Sequence, residues 1–144
     1  MTNYIPPAID WVREQVELYE SSEGAKGTTL RDTGLPCIIV THTGNKTGGT
    51  RKIPLMRVKV GDSYVLIGSY GGQENNPVWV YNLRANPDVE IRNMTEVLKM
   101  RVREVEDDPE RQRLWEASAA AYPPYNEYQA RTSRKIPVFI AEPI

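Results

Sequence analysis

The sequence predicts an α+β domain centred on a mainly antiparallel β-barrel. Three observations predict it. Short β-branched or alternating segments recur along the chain, about five or six of them, separated by tight polar turns. Few segments could serve as crossover helices, so the strands must pair mainly antiparallel, and closing the sheet is the usual way to remove its edges. An amphipathic helix precedes the first strand.

That helix comes first in the chain. Pro6 and Pro7 end a short arm and suit the first turn of a helix, where a missing N–H costs little. From Ala8 to Ser21, Ile9, Val12, Val16 and Tyr19 recur at steps of three and four, and Trp11 and Leu18 widen the stripe. Asp10, Arg13, Glu14, Glu17 and Glu20 lie mostly elsewhere. The stripe is expected to pack on the domain. Peripheral contact with a membrane is the alternative, weakened by a polar face richer in Glu than in Lys or Arg. The helix is expected to be separable from any cofactor site, because the motifs that suggest one begin later in the chain.

Residues 21–34 hold three glycines and read as a loop. Cys37–Thr41 is a buried-strand run, Ile53–Val60 the next strand, and Gly61-Asp62 turns it into Ser63–Ser69 as a hairpin. Asn76-Pro77 precedes a short helix over Val78–Leu83, which Asn86-Pro87 breaks. Val89–Arg92 and Val97–Val105 form two further strands; Leu98, Met100 and Val102 alternate with Val97, Lys99, Arg101 and Arg103. Asp108-Pro109 predicts a helix with Asp as N-cap, running to about Ala121. A tyrosine-rich stretch, Tyr122–Tyr128, follows, and Ile136–Ala141 is the last strand.

The chain has 144 residues, which suits a single domain, 1–144, with residues 1–34 as its N-terminal helix and loop. A net charge of −1 argues against a general nucleic-acid binder, so no nucleic-acid partner is expected. Cys37 is the one cysteine and His42 the one histidine. An intrachain disulfide, a cysteine-based zinc site and a zinc hydrolase with several histidine ligands are therefore excluded, and no metal is expected. The absence of a signal-peptide pattern and of an apolar run of roughly 20 residues points to a cytoplasmic protein. His42 reads as a structural hydrogen-bonding residue. There is no Gly-x-Ser-x-Gly elbow, Walker loop or Gly-x-Gly-x-x-Gly.

Three segments could carry chemistry. The basic, glycine-rich turn Thr43–Lys52 can converge backbone N–H groups on an anion, with Lys46, Arg51 and Lys52 adding charge. It also reads as an ordinary solvated hairpin turn. Ser69-Tyr70-Gly71-Gly72 permits close backbone approach to a ligand, and Asn76-Pro77-Val78-Trp79 starts a helix whose free N–H groups can face an anion or ring carbonyl. Tyr122, Tyr125 and Tyr128, at steps of three, offer flat faces and proton-bearing tips on one side of a helical turn. Alternatively they form a packing edge.

Taken together, these segments resemble the deazaflavin-dependent nitroreductase family, also described as F420H2-dependent quinone reductases. The resemblance runs from about Leu35 to Pro143. It rests on Thr-Gly-Asn-Lys-Thr-Gly with Arg51 and Pro54-Leu55, on Gly-Gly-Gln-Glu-Asn-Asn-Pro-Val-Trp, on Asn82-Leu83-Arg84-Ala85-Asn86-Pro87, and on the spaced tyrosines with Ile136-Pro137. It implies a split β-barrel related to flavin mononucleotide-binding barrels, with coenzyme F420 as cofactor. Lys46 and Arg51 match positions that hold the phosphate-containing tail, with Thr47, Gly48 and Lys52 in the same turn and Pro54 and Leu55 beyond it. Gly71, Gly72, Asn76, Pro77 and Trp79 match the cradle for ring and tail. Ser69, Tyr122, Tyr125 and Tyr128 match the acceptor side and are the implied catalytic groups. Tyr70 stands where some members place a lysine, which removes a phosphate contact, and Met56 where some place a tyrosine over the acceptor.

The implied reaction is hydride transfer from reduced F420 to a flat, electron-poor small molecule such as a quinone, an enone or a nitroaromatic. The alternatives are the same barrel using flavin mononucleotide, or a carrier that holds F420 without catalysis. Pairing into a homodimer is also expected, as is common for cofactor barrels of this type.

Overall fold

The computed structural model describes residues 3–144. Its elements are α1 (Asp10–Ser21), β1 (Cys37–Thr43), β2 (Thr50–Met56), β3 (Lys59–Val60), β4 (Ser63–Ile67), α2 (Val78–Ala85), β5 (Asp88–Asn93), β6 (Glu96–Glu104), α3 (Glu110–Ala121), α4 (Pro124–Arg131) and β7 (Val138–Pro143). The strands form one sheet in the order β2-β1-β5-β6-β7-β4-β3, and each neighbouring pair is antiparallel. The two ends of that order, β2 and β3, are consecutive in the chain and separated only by Arg57 and Val58. The Arg57 N–H donates to the Pro36 carbonyl (3.0 Å), while the Val58 carbonyl accepts from the Val65 N–H (2.9 Å). The chain itself thus draws both sheet edges together into a curled, barrel-like sheet.

Period-two alternation decides which side chains go where. Ile38, Val40, Tyr64, Leu66, Phe139 and Ala141 point into the barrel with Trp79, Val80 and Leu83 of α2. Their neighbours Val65, Ile67, Val138 and Ile140 pack outward against Leu114 of α3 and Tyr125 of α4. Cys37 and Ile39 face α1, where Val16 and Tyr19 cover them. The Tyr19 hydroxyl donates to the Cys37 carbonyl (3.0 Å) and accepts from the Met94 N–H (2.7 Å). Glu20 pairs with Lys52 at 3.2 Å and Arg92 at 2.8 Å. Val12, Val16 and Tyr19 of the α1 stripe are therefore spent on the domain, as expected, while Ile9 and Leu18 stay exposed. Among the described residues no helix is long and apolar enough to cross a membrane. Cys37 is 1% exposed and free, and burial pushes its thiol up to about 11.

Several boundaries differ from the sequence reading. The strand placed at Ile53–Val60 begins at Thr50, because the hairpin register runs from Thr43↔Thr50 to Cys37↔Met56. It then breaks at Arg57-Val58, where the chain leaves β1 to join β4. Asp108 does not cap α3: Pro109 occupies the N-cap position with no side-chain capping bond. Glu110 of the first turn instead pairs with Arg103 at 2.7 Å. The tyrosine-rich stretch is divided: Tyr122 is the C-cap of α3, and Tyr125 and Tyr128 lie on α4, with Pro124 at its start.

Candidate active site

The turn between β1 and β2 is closed by two backbone bonds, Gly44 N–H to Gly49 O (2.8 Å) and Gly48 N–H to Gly44 O (3.0 Å). Gly48 sits at φ +71°, and Thr47 Oγ1 accepts from the Gly49 N–H at 3.1 Å. A side chain at Gly44 would come within 3.3 Å of Arg51 Nε, so the glycine makes room for that guanidinium. Beside the turn lies a cavity of about 410 Å³ lined by Lys46, Thr47, Arg51, Val78, Tyr81 and Asn82 among others. Among the described residues, neither Lys46 nor Arg51 takes part in an ion pair. Lys52, by contrast, is held by Glu20 and lies over the Tyr4 ring.

Asn82 is 1% exposed. Its Oδ1 accepts from the Asn45 N–H (2.9 Å), which ties the turn to α2, while its Nδ2 has no hydrogen-bond partner among the described residues. A buried amide donor without a partner costs about 1–3 kcal/mol, so a ligand atom is the natural partner. Asn82 also lines a second cavity, of about 180 Å³, with Ile5, Pro7, His42, Arg51, Lys52, Ile53, Tyr70, Pro77, Val78 and Trp79. His42 is 4% exposed; its Nδ1 faces the Val40 carbonyl at 3.2 Å, and burial holds it down to about 4. It is a neutral wall residue.

A third and largely apolar cavity, of about 430 Å³, continues from there. Pro54, Leu55, Met56 and Ile67 line it from the sheet, Ser69, Tyr70, Gly71, Pro77 and Trp79 from the loop and α2, and Tyr122, Tyr125 and Tyr128 from the far side. Arg51, Val78 and Asn82 belong to both the first and second cavities, and Ile53, Tyr70, Pro77 and Trp79 to both the second and third. The three form one cleft that leads from the basic turn to the tyrosines.

The loop entering α2 has three consecutive residues at positive φ: Tyr70 (47°), Gly71 (64°) and Gly72 (80°). Tyr70 is the strained one, since a bulky residue held there costs on the order of 1–3 kcal/mol. Gly72 lies against α4, where a side chain would meet the Tyr128 carbonyl at 2.8 Å. The Tyr122 and Tyr128 hydroxyls are 2.9 Å apart. Burial pushes Tyr122 up to about 12 and raises Tyr125, which is 6% exposed. The Tyr122 and Tyr125 rings meet edge to face at 5.0 Å.

Most of the residues singled out from sequence thus come together on this cleft. Gly48, Gly72 and Asn76 do not line it; they shape the turn and loop behind its wall. Three contributors were missed. Asn82 lies three residues after Trp79 on the buried side of α2, and an Asn on an apolar stripe was the available signal. Arg134 does not line the cleft but donates to the Ser69 carbonyl (2.7 Å) and Gln73 carbonyl (2.8 Å) of the loop that does, and it gave no signal beyond its charge. The third is the N-terminal segment. Ile5 and Pro7 line the middle cavity and Ile9, Trp11 and Val12 the apolar one. The expectation that the first helix stands apart from the site is corrected. The arm is held there because the Ile5 N–H donates to Thr50 O and the Thr50 N–H to Asn3 O, each at 2.8 Å.

Free basic groups, an orphaned buried amide donor and a flat apolar slot suit a cofactor with an anionic tail and a planar ring. A curled antiparallel barrel carrying such a cleft defines a split-barrel protein with a cofactor-sized site. The chain belongs to the F420H(2)-dependent quinone reductase family, whose model matches residues 11–143. It is 36% identical over 126 residues to an F420H(2)-dependent quinone reductase of Mycobacterium tuberculosis H37Rv, covering 85% of this chain and 83% of that one. A solved structure described as an F420-H2 dependent reductase (FDR-A) is 44% identical, with a TM-score of 0.70 over 74% of this chain and 94% of its own. Another, described as a domain-swapped dimer, is 42% identical, with a TM-score of 0.73 over 92% and 98%. A structure described as a pyridoxamine 5'-phosphate oxidase from Listeria innocua, at 13% identity and a TM-score of 0.54 over 74% and 82%, shares the fold alone. The chain is an oxidoreductase that uses coenzyme F420. The flavin mononucleotide alternative finds no support in these relatives.

Proposed function

We propose that the cleft holds the tail of F420 at Lys46, Thr47 and Arg51 and its ring among Pro54, Leu55, Gly71, Pro77 and Trp79. A quinone-like acceptor then lies beside Ser69, Tyr122 and Tyr128. The observation that carries this reading is the continuity of the cleft from two unpaired cations to a tyrosine pair. When bound in its reduced form, the cofactor supplies a hydride.

The residues of the chain do the rest. Lys46 and Arg51 anchor negative charge, and Asn82 Nδ2 donates to a ligand oxygen. Reducing a quinone to a hydroquinone consumes one proton besides the hydride. Within the Tyr122–Tyr128 pair one hydroxyl donates to the other, which leaves the second proton for the oxygen that gains charge. The raised pKa of Tyr122 keeps that group protonated at neutral pH. Ser69 is a second donor at the same end. Tyr125 serves mainly as the packed floor beneath the pair.

Titration with oxidised F420 and with flavin mononucleotide tests the cofactor; the first is expected to bind and the second not. Reduced F420 should then bleach with a quinone, and a panel of quinones, enones and nitroaromatics ranks the acceptors. Binding without bleaching by any acceptor would make the chain a carrier. Pairing of two copies, as in the relative described as a domain-swapped dimer, is testable by sedimentation. Lipid contact through the exposed Ile9 and Leu18 of the α1 segment is testable by vesicle flotation.

A further inference from the structure

Arg134, just past α4, reaches back across the molecule to the Gly68–Asn76 loop. Its Nε donates to the Gln73 carbonyl (2.8 Å), Nη2 to the Ser69 carbonyl (2.7 Å), and Nη1 to the Gly68 carbonyl (3.2 Å) and Asn76 Oδ1 (2.7 Å). No carboxylate pairs with it among the described residues. The guanidinium is therefore satisfied by the oxygens of a single loop, in a fork geometry that an ammonium cannot reproduce.

The same loop holds Tyr70, Gly71 and Gly72 at positive φ and lines the cleft with Ser69, Tyr70 and Gly71. In a trans peptide the C=O and the following N–H point opposite ways. Drawing the Ser69 carbonyl to Arg134 therefore turns the Tyr70 N–H away from it. Two further contacts bind the loop to α4: Arg131 Nη1 donates to the Gly71 carbonyl at 3.2 Å, and Gly72 lies under the Tyr128 backbone.

We propose that Arg134 is a positioning residue for hydride transfer: it fixes the Gly68–Asn76 loop against the cofactor ring and keeps that loop in register with the tyrosines of α4. This rests on the reading of the cleft given above. Cofactor and acceptor geometry then depend on one guanidinium that touches neither.

The experiment compares Arg134→Ala, Arg134→Lys and Arg134→Gln with Arg101→Ala, a surface control. Four measurements are made: affinity for oxidised F420, the absorption band of the bound cofactor, kcat and KM with a quinone, and hydrogen exchange of residues 68–76 in the free protein. In the Arg134 variants affinity is expected to fall roughly 10- to 100-fold, the scale of hydrogen bonds to a charged group. The bound band shifts, kcat falls as well as affinity, and loop exchange quickens. Millimolar guanidinium restores Arg134→Ala, while Lys does not substitute. Arg134→Gln carries the test if the alanine variant does not fold. Folded Arg134 variants with wild-type affinity, band and kcat would overturn the role of Arg134 alone. A wild-type chain that binds no F420 would overturn the reading of the cleft and this role with it.

Discussion

The Tyr122 hydroxyl lies 2.9 Å from that of Tyr128, between the end of α3 and α4 and across Pro123-Pro124. Either group can be the donor, so removing one hydroxyl leaves the other without its partner but keeps both rings. Tyr128→Phe is expected to lower turnover roughly 10- to 1000-fold, the range for losing a general-acid or oxyanion contact. Affinity for oxidised F420 should shift by less than about 0.5 kcal/mol. Steady-state kinetics beside a binding titration check both. Because Tyr122 is raised to about 12, its proton stays in place as the pH climbs, and turnover should not fall through loss of that proton below that value.

Lys46 and Arg51 carry no ion pair among the described residues, whereas Lys52 is tied to Glu20. Lys46→Ala and Arg51→Ala should each weaken F420 binding by about 1.5–3 kcal/mol, more at low salt than at high. Lys52→Ala should cost less. Unchanged affinity in both the Lys46 and Arg51 variants, measured by fluorescence titration, would count against a tail held at the turn.

Asn82→Asp keeps the acceptor for the Asn45 N–H and removes the orphan donor. It puts an acceptor, and a negative charge if ionised, where the anionic ligand is expected. Binding should weaken by more than about 1.5 kcal/mol, while Asn82→Ser, which keeps a donor, should do less harm. A titration in which both variants bind like wild type would show that Nδ2 faces no cofactor.

The N-terminal segment lines the cleft, so its removal is expected to matter. Deleting residues 1–23 uncovers Cys37 and Ile39 and takes away Ile9, Trp11 and Val12, with loss of stability and of cofactor binding. Trp11→Ala is the milder probe: it should leave the fold intact and raise KM for bulky quinones. Wild-type KM across a graded series of quinones would return the helix to a purely structural role.

His42 is neutral in the folded chain because burial lowers it from 6.5 to about 4. The unfolded chain takes up a proton at the higher value. The stabilising contribution is therefore complete above about 6.5 and is lost as the pH falls toward about 4, on the order of 3 kcal/mol in all. Urea unfolding of His42→Gln against wild type, at neutral and at mildly acidic pH, should show a shallower loss in the variant.

The barrel was legible because its strands obey period-two alternation and its turns are marked by Gly61-Asp62, Asn86-Pro87 and the Gly44–Gly49 run. The break at Arg57-Val58 was not, since it answers to where the two sheet edges meet, a relation between residues remote in sequence. The same holds for the site. Lys46, Arg51, Ser69 and the tyrosines stand in recognisable motifs. Ile5 reaches its wall, and Arg134 the loop beside it, only through tertiary packing, and nothing local distinguishes them from surface residues.

Cys37 is chemically silent in the folded chain. With its thiol 1% exposed and raised to about 11, the folded chain offers labelling reagents almost no thiolate at neutral pH. A cysteine introduced at an exposed position such as Val78, on the rim of the cleft, should then be the single reactive sulfur in the native molecule. One fluorophore attached there could report cofactor entry in real time, with no background from the natural sequence to subtract.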